Sequence, residues 1–172
     1  MRRLVLIILS MLTITGCATY HFGTRSLYRP DIRSVHVPVV RSESFRRNLG
    51  ERLTEAIVKE IETKTPYKVV SRDAADSVLI ATIVTDRKFV LAENRNDEPR
   101  DIEVDLTMAV QWLDRSGNAL TNQFIVPVPT SGLTVWQQAN FVPEVGQSVV
   151  TAQEEAIQKA ARQIVAQLET AW

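Results

Sequence analysis

The strictest pattern in this sequence is an alternation that runs from Asp101 to Trp112. Ile102, Val104, Leu106, Met108, Val110 and Trp112 are apolar, while Asp101, Glu103, Asp105, Thr107, Ala109 and Gln111 between them are polar or small. Successive side chains of a strand point to opposite faces, so the segment predicts a long strand with one buried and one wet face. Such a strand demands a second layer to cover its apolar side. The even-numbered residues are the expected core set.

Both flanks supply that layer. From Ser44 onward Phe45, Leu49, Leu53, Ile57 and Ile61 recur every fourth residue with Ala56 alongside, and Arg47, Glu51, Glu55, Lys59 and Glu62 fall elsewhere. This predicts an amphipathic helix that Pro66 stops. Near the C-terminus, Ala156, Ile157, Ala160, Ala161, Ile164, Val165 and Leu168 form a second apolar stripe, and Thr151–Glu154 ("TAQE") matches a capping box at its start. Leu49, Leu53 and Ile57 of the first helix and Ile157, Ile164 and Leu168 of the second are expected on the same sheet face.

The remaining strands are β-branched runs. "SVHVPVV" (34–40) reads as a strand with Pro38 hinting at an edge, "YKVVS" as a short strand, and 77–91 as a long central one. "DRSGN" (114–118) supplies turn residues for a hairpin into "ALTNQFIVPV", where Leu120, Phe124, Val126 and Val128 share a face and Pro127 and Pro129 mark an edge or an end. Residues 130–147 hold Trp136, Phe141 and Pro143 without a sustained period and read as irregular or partly extended. The expected fold is α+β: a two-layer sandwich of a largely antiparallel four- to five-stranded sheet with two helices packed on one face.

The N-terminus has a different character. "MRR" is followed by an apolar run, Leu4 to Ile14, broken only by Ser10 and Thr13, and then by small residues leading into Cys17, the single cysteine. About eleven apolar residues fall short of the roughly 20 that a transmembrane helix needs, and the layout is that of a secretory signal. Ile14-Thr15-Gly16-Cys17 resembles the lipobox of bacterial lipoproteins, in which the cysteine is acylated, palmitate included, and becomes the mature N-terminus. Several acyl chains make such an anchor stable. Ala18, where an Asp would favour inner-membrane retention, leans toward the outer membrane. The expected organisation is a signal peptide over 1–16, a lipidated tether over 17–33, and one domain over 34–172.

Composition removes several functions. Lys and Arg total 20 against 20 Asp and Glu, which does not suggest a nucleic-acid binder, although arginines crowd the stretch from Arg25 to Arg52. With Cys17 acylated no thiol remains for a disulfide or a zinc site. His21 lies in the tether and His36 within the first strand, neither with a partner at metal-ligand spacing. No nucleophile elbow, phosphate loop or dinucleotide fingerprint is present. Asp101, Glu103 and Asp105 read as the wet face of a strand, and Glu154 and Glu155 as first-turn helix carboxylates. No catalytic residue, metal or cofactor is expected.

The lipobox with its short tether, the stretch from "VHVPVVRSESFRRNLGERLTEAIVKEIETKTPYKVV" to "ADSVLIATIV", the charged hairpin and the closing "TAQEEAIQKAARQIVAQLE" resemble the lipopolysaccharide-assembly lipoprotein family, LptE type. The resemblance covers nearly the whole mature chain. It implies a small α/β lipoprotein, lipid-anchored to the outer membrane and facing the periplasm. Its partners would be lipopolysaccharide and a large β-barrel translocon of the LptD type, which it plugs and helps assemble without catalysis. Other periplasmic lipoproteins share parts of the pattern, so activation of a peptidoglycan synthase and membership of a secretion channel stay open as alternatives.

One stretch stands out for contact with such partners. Arg87, Lys88, Arg95 and Arg100 fall on a single hairpin with a polar tip, "ENRNDEP". Glu93, Asp97, Glu98 and Asp101 can simply neutralise them in a solvated loop. Alternatively, the arginine forks can take phosphate oxygens of lipopolysaccharide or meet the barrel wall.

Overall fold

The computed structural model describes residues 27–44, 46, 48–120, 133–143 and 146–169. Six strands and two helices follow in the order β1 (Ser34–His36), β2 (Arg41–Ser42), α1 (Leu49–Lys64), β3 (Lys68–Val69), β4 (Ser77–Glu93), β5 (Pro99–Asp114), β6 (Leu133–Phe141) and α2 (Val149–Ala166). The strands form one sheet in the order β3-β1-β4-β5-β6, with β2 also against β4. The architecture is the expected α+β sandwich, with a more mixed sheet than expected. β4, β5 and β6 are antiparallel, whereas the short β1, β2 and β3 run parallel to their neighbours. Crossing back through α1 returns the chain in the same direction, which makes those pairings parallel.

The alternation in β5 is realised in full. Ile102, Val104, Leu106, Met108, Val110 and Trp112 are all buried, and the odd-numbered residues are half-buried on the opposite, open face. α1 contributes Leu49, Leu53, Ala56, Ile57 and Ile61 to the same core, and α2 contributes Ala156, Ile157, Ala160, Ala161, Ile164 and Val165, with Leu168 just beyond its end. α1 packs on α2 and against β2 and β3, while α2 lies on β5 and β6. Its alanines let the helix approach the sheet closely.

Gly50 marks a close approach of α1 to the Val40 backbone. A Cβ there would lie 2.2 Å from the Val40 carbonyl oxygen. Thr54 fastens the same contact, its hydroxyl accepting from Val40 N–H (2.9 Å) and donating to the Gly50 carbonyl (2.7 Å).

Several expectations are corrected. The first helix begins at Leu49 rather than Ser44, behind Asn48 in the left-handed region (φ 62°). Ser44 instead turns its hydroxyl to Asp86, and Phe45 and Arg47 lie outside the described residues. α2 begins three residues before Thr151, at a Ser148 cap whose hydroxyl accepts from Thr151 N–H (3.2 Å). The tether expected to reach residue 33 ends earlier, because Tyr28 and Ile32 are buried: the Tyr28 hydroxyl donates to the Lys64 carbonyl (3.1 Å) and its ring stands edge-on to Tyr67. Two isolated apolar residues make no period, so spacing does not mark them.

The third strand of the meander also moves. The turn at 114–118 forms as expected, with Asp114 N–H donating to the Asn118 carbonyl (2.8 Å) and Gly117 at φ 85°. Ala119 bridges Leu113 and Leu120 N–H bonds Trp112, but the ladder resumes only with Leu133 opposite Val110. Phe124, Val126, Pro127, Val128 and Pro129 lie outside the described residues. β6 therefore falls in the stretch expected to be irregular or partly extended, its extended part running from Leu133 to Phe141.

Candidate functional site

β4 changes face partway along its length. Ser77, Leu79, Ala81 and Ile83 point into the core, but a register shift between Ile83 and Thr85 leaves Val84 as an extra residue. A one-residue bulge exchanges the faces of everything after it. Asp86 and Lys88 consequently stand opposite Leu106 and Val104 on the helix side, and Arg87 and Phe89 stand opposite Asp105 and Glu103 on the open side.

Past the bulge β5 keeps β6 beside it as far as Ile102 opposite Phe141, with Leu106, Val104 and Ile102 buried, and the two-stranded hairpin continues alone only beyond Val90 and Ile102. Asp86 is the last enclosed group: its side chain is 1% exposed and its Oδ2 takes the Arg46 guanidinium (2.5 Å) and the Ser44 hydroxyl (3.3 Å). Its Oδ1 has no hydrogen-bond partner among the described residues. From Arg87 to Arg100 every residue except Asn94 is exposed. Phe89, Val90 and Leu91 remain 43%, 43% and 51% exposed, an unusual run for consecutive large apolar residues.

The tip is firmly built. The Asn94 side-chain oxygen accepts from Asn96 N–H (2.8 Å) and Glu98 N–H (3.0 Å), its amide donates to the Glu98 carboxylate (2.6 Å), and Asp97 adopts φ 61° to close the turn. Asx turns of this kind fix a loop through side-chain to backbone bonds. The hairpin is thus a defined projection.

The four expected contact residues share this projection but not a single face. Arg87 is on the open face opposite Asp105, and Lys88 is on the helix side, its ammonium 6.0 Å from the centre of the Phe141 ring. Arg95 is in the tip, and Arg100 is in β5 beside Asp101. The open face also carries Trp136, 56% exposed, whose indole N–H donates to Asp105, and Gln138, which donates to Glu103 (2.9 Å). These wet-face carboxylates are therefore tied to β6 as well as solvated. Sequence reasoning missed the Asp86–Arg46 pair and the apolar run; the only available sign was Phe89-Val90-Leu91 breaking alternation beside two cations.

Elsewhere the polar groups serve the fold. His36 Nδ1 lies 3.1 Å from the Val70 carbonyl. The Asp76 carboxylate, held by the Ser34 hydroxyl and by the Arg33 and Ser34 N–H groups, has its pKa lowered by those bonds. Among the described residues no group of His, Cys, Asp or Glu side chains is arranged to hold a metal, and no helix is long and apolar enough to cross a membrane. Cys17 and His21 lie outside the described residues.

A family model of lipopolysaccharide-assembly proteins, LptE, matches residues 32–171. The chain belongs to the LptE family. Its role is accordingly in lipopolysaccharide assembly, and the family acts without catalysis. A comparison with curated sequences finds no match. Solved structures share the fold of this LptE-family chain at low identity. An uncharacterised lipoprotein B from Nitrosomonas europaea is 16% identical over 87% of this chain and 92% of its own (TM-score 0.51). A hypothetical protein from Chlamydia trachomatis is 13% identical over 78% and 94% (0.52), and a protein from Xanthomonas campestris is 12% identical over 83% and 89% (0.53).

Proposed function

We propose that this LptE-family protein is anchored to the outer membrane through an acylated Cys17, faces the periplasm, and plugs a lipopolysaccharide-inserting β-barrel of the LptD type. Its β4–β5 hairpin is the part that enters the barrel and meets lipopolysaccharide. The observation that carries this reading is the hairpin itself, an exposed ribbon that brings Arg87, Lys88, Arg95 and Arg100 beside the apolar run Phe89–Leu91 and whose tip continues beyond the sandwich.

Distances support it. Tyr28 pairs with Glu169 at the pole where the Asp114–Asn118 turn also lies, and β4 leaves that pole at Ser77 and reaches Glu93 after 17 residues. At about 3.3 Å per residue the tip stands roughly 50 Å from the anchored pole. A bilayer with its headgroups is about 40–45 Å thick, so an upright hairpin inside a barrel lumen spans from one leaflet to the other. The ten residues between Cys17 and the packed body can extend at most about 35 Å, short enough to hold that pole at its own leaflet.

Arginine and lysine along the ribbon match phosphate groups on lipopolysaccharide. Such contacts weaken with salt, because the Debye length falls from about 10 Å at 0.1 M to about 3 Å at 1 M. Replacing Arg87, Lys88, Arg95 and Arg100 together by Ser is expected to weaken binding of a phosphorylated lipopolysaccharide while leaving the melting temperature nearly unchanged. Undiminished binding by the folded quadruple variant removes this site and directs the same test to the arginine-rich stretch from Arg41 to Arg52. Intact-mass measurement of the membrane-extracted protein is expected to show loss of residues 1–16 and a lipid-sized increment, and Cys17→Ser is expected to be unanchored.

A further inference from the structure

The open face of the sheet is not polar throughout. Near the Asp114–Asn118 turn, Val78 stands opposite Leu113 and Ile80 opposite Gln111, so Val78, Ile80 and Leu113 lie together, half-buried, on the side away from the helices. A short 3₁₀ helix, Arg72–Ala74, and the 114–118 turn flank this apolar floor, joined where Arg115 Nη2 donates to the Asp73 carbonyl (3.0 Å). Between them is an open cavity of about 490 Å³. Small-molecule sites have volumes of about 300–1,000 Å³.

The rim carries both signs of charge. The Arg72 side chain has no partner among the described residues, and Arg115 is held by a backbone carbonyl, which leaves its charge uncompensated. Asp114 also borders the cavity, but its two oxygens accept from Asn118 N–H (2.8 Å) and from the Asn118 amide (2.9 Å). The Asp73 carboxylate is exposed, without a partner among the described residues. The rim thus presents two cations and one free anion. A second cavity, lined in part by Arg29, Ile32 and Leu120, adjoins at Asp114 and Arg115, so the depression continues to where the N-terminal chain enters the fold.

We propose that this cavity binds a zwitterionic glycerophospholipid, with its phosphate diester between Arg72 and Arg115, its head-group ammonium at Asp73, and the start of its acyl chains over Val78, Ile80 and Leu113. Guanidinium groups take phosphate oxygens through paired N–H donors, and the apolar floor gains by being removed from water. An anionic lipid with no ammonium meets Asp73 without an opposite charge, and free phosphate leaves the floor wet. The lipid's source, the leaflet that holds the acylated N-terminus, rests on the anchored pole proposed above; the chemistry of the cavity does not.

The test is native mass spectrometry of the full chain in a maltoside detergent, titrated with dihexanoyl phosphatidylethanolamine, dihexanoyl phosphatidylglycerol, dihexanoylglycerol or inorganic phosphate. One phosphatidylethanolamine per chain is expected, with each of the other three at least about tenfold weaker. Arg72→Gln and Arg115→Gln are each expected to weaken phosphatidylethanolamine binding by about tenfold, and Arg72→Gln to keep the wild-type melting temperature. Asp73→Asn is expected to shift preference from phosphatidylethanolamine toward phosphatidylglycerol, a change that mere loss of structure does not produce. Absence of a saturable adduct, wild-type binding by Arg72→Gln, or an unchanged preference in Asp73→Asn overturns the proposal. Replacing Arg87, Lys88, Arg95 and Arg100 by Ser, far along β4, is expected to leave this binding intact, and its loss in that variant would place the lipid on the hairpin instead. Failure of the cavity leaves the acylation and hairpin readings standing, and an unacylated Cys17 leaves the cavity measurable in detergent.

Discussion

Replacing Gly50 by Ala should reverse the sign that helix propensity alone gives. Ala is favoured over Gly in a helix interior by about 1 kcal/mol, and an exposed site would gain up to that amount. At Gly50, however, the new methyl would sit 2.2 Å from the Val40 carbonyl oxygen and 3.2 Å from its carbon, both backbone atoms. Restoring an ordinary contact requires α1 and the β1–β2 connection to part by about 1 Å, and forced overpacking of this kind costs about 1–3 kcal/mol, occasionally more. The same displacement stretches the Val40–Thr54–Gly50 bridge, whose two hydrogen bonds are worth about 1 kcal/mol each. Net destabilisation of about 1–3 kcal/mol is expected, which lowers the melting temperature of a domain this size by about 2–4 °C per kcal/mol. Urea unfolding of Gly50→Ala beside Glu55→Ala, an exposed position on the same helix, measures it. Gly50→Ala as stable as wild type would refute the close approach of α1 to the sheet.

Other substitutions probe the layers and the pH response. Leu53→Ala and Ile164→Ala, at positions with no more than 1% exposure, should each cost about 2–5 kcal/mol in urea unfolding, against about 1 kcal/mol or less for Glu103→Ala on the open face; equal costs would contradict the assigned faces. Asp76 has its pKa lowered by Ser34 and by backbone N–H groups, so its contribution is present above the ordinary carboxylate pKa of about 3.9 and is lost as pH falls through the lower folded value. Asp76→Asn should therefore flatten the acid limb of the stability profile below about pH 4, and an unchanged limb would show that Asp76 does not contribute to it.

The parts of the fold that could be read from sequence were those whose signal is periodic. The even-numbered face of β5 and the stripes of both helices follow from spacing alone, since burial of one face leaves a repeat of two or of about four. β6 is legible only as a partly extended stretch because Gln137 interrupts the apolar set Val135, Ala139 and Phe141; it can occupy that face because its amide donates to Gln163 of α2, a partner visible only in three dimensions. Tyr28 and Ile32 carry no mark in the sequence for a related reason, the Tyr28 partners Lys64 and Tyr67 being remote in the chain. The hairpin and its cations were legible, but their distribution over two faces was not. A single extra residue at Val84 sets that distribution, and strand propensity carries no mark of it.

The most direct test of the account is to purify the lipidated protein by affinity from detergent-solubilised envelopes and identify what accompanies it by mass spectrometry. A large outer-membrane β-barrel of the LptD type, recovered in stoichiometric amount and protecting Arg87–Arg100 from proteolysis, is the predicted result. Recovery of a peptidoglycan synthase or a secretion-channel component in its place, with the hairpin equally cleavable in the complex and in the free protein, would contradict it.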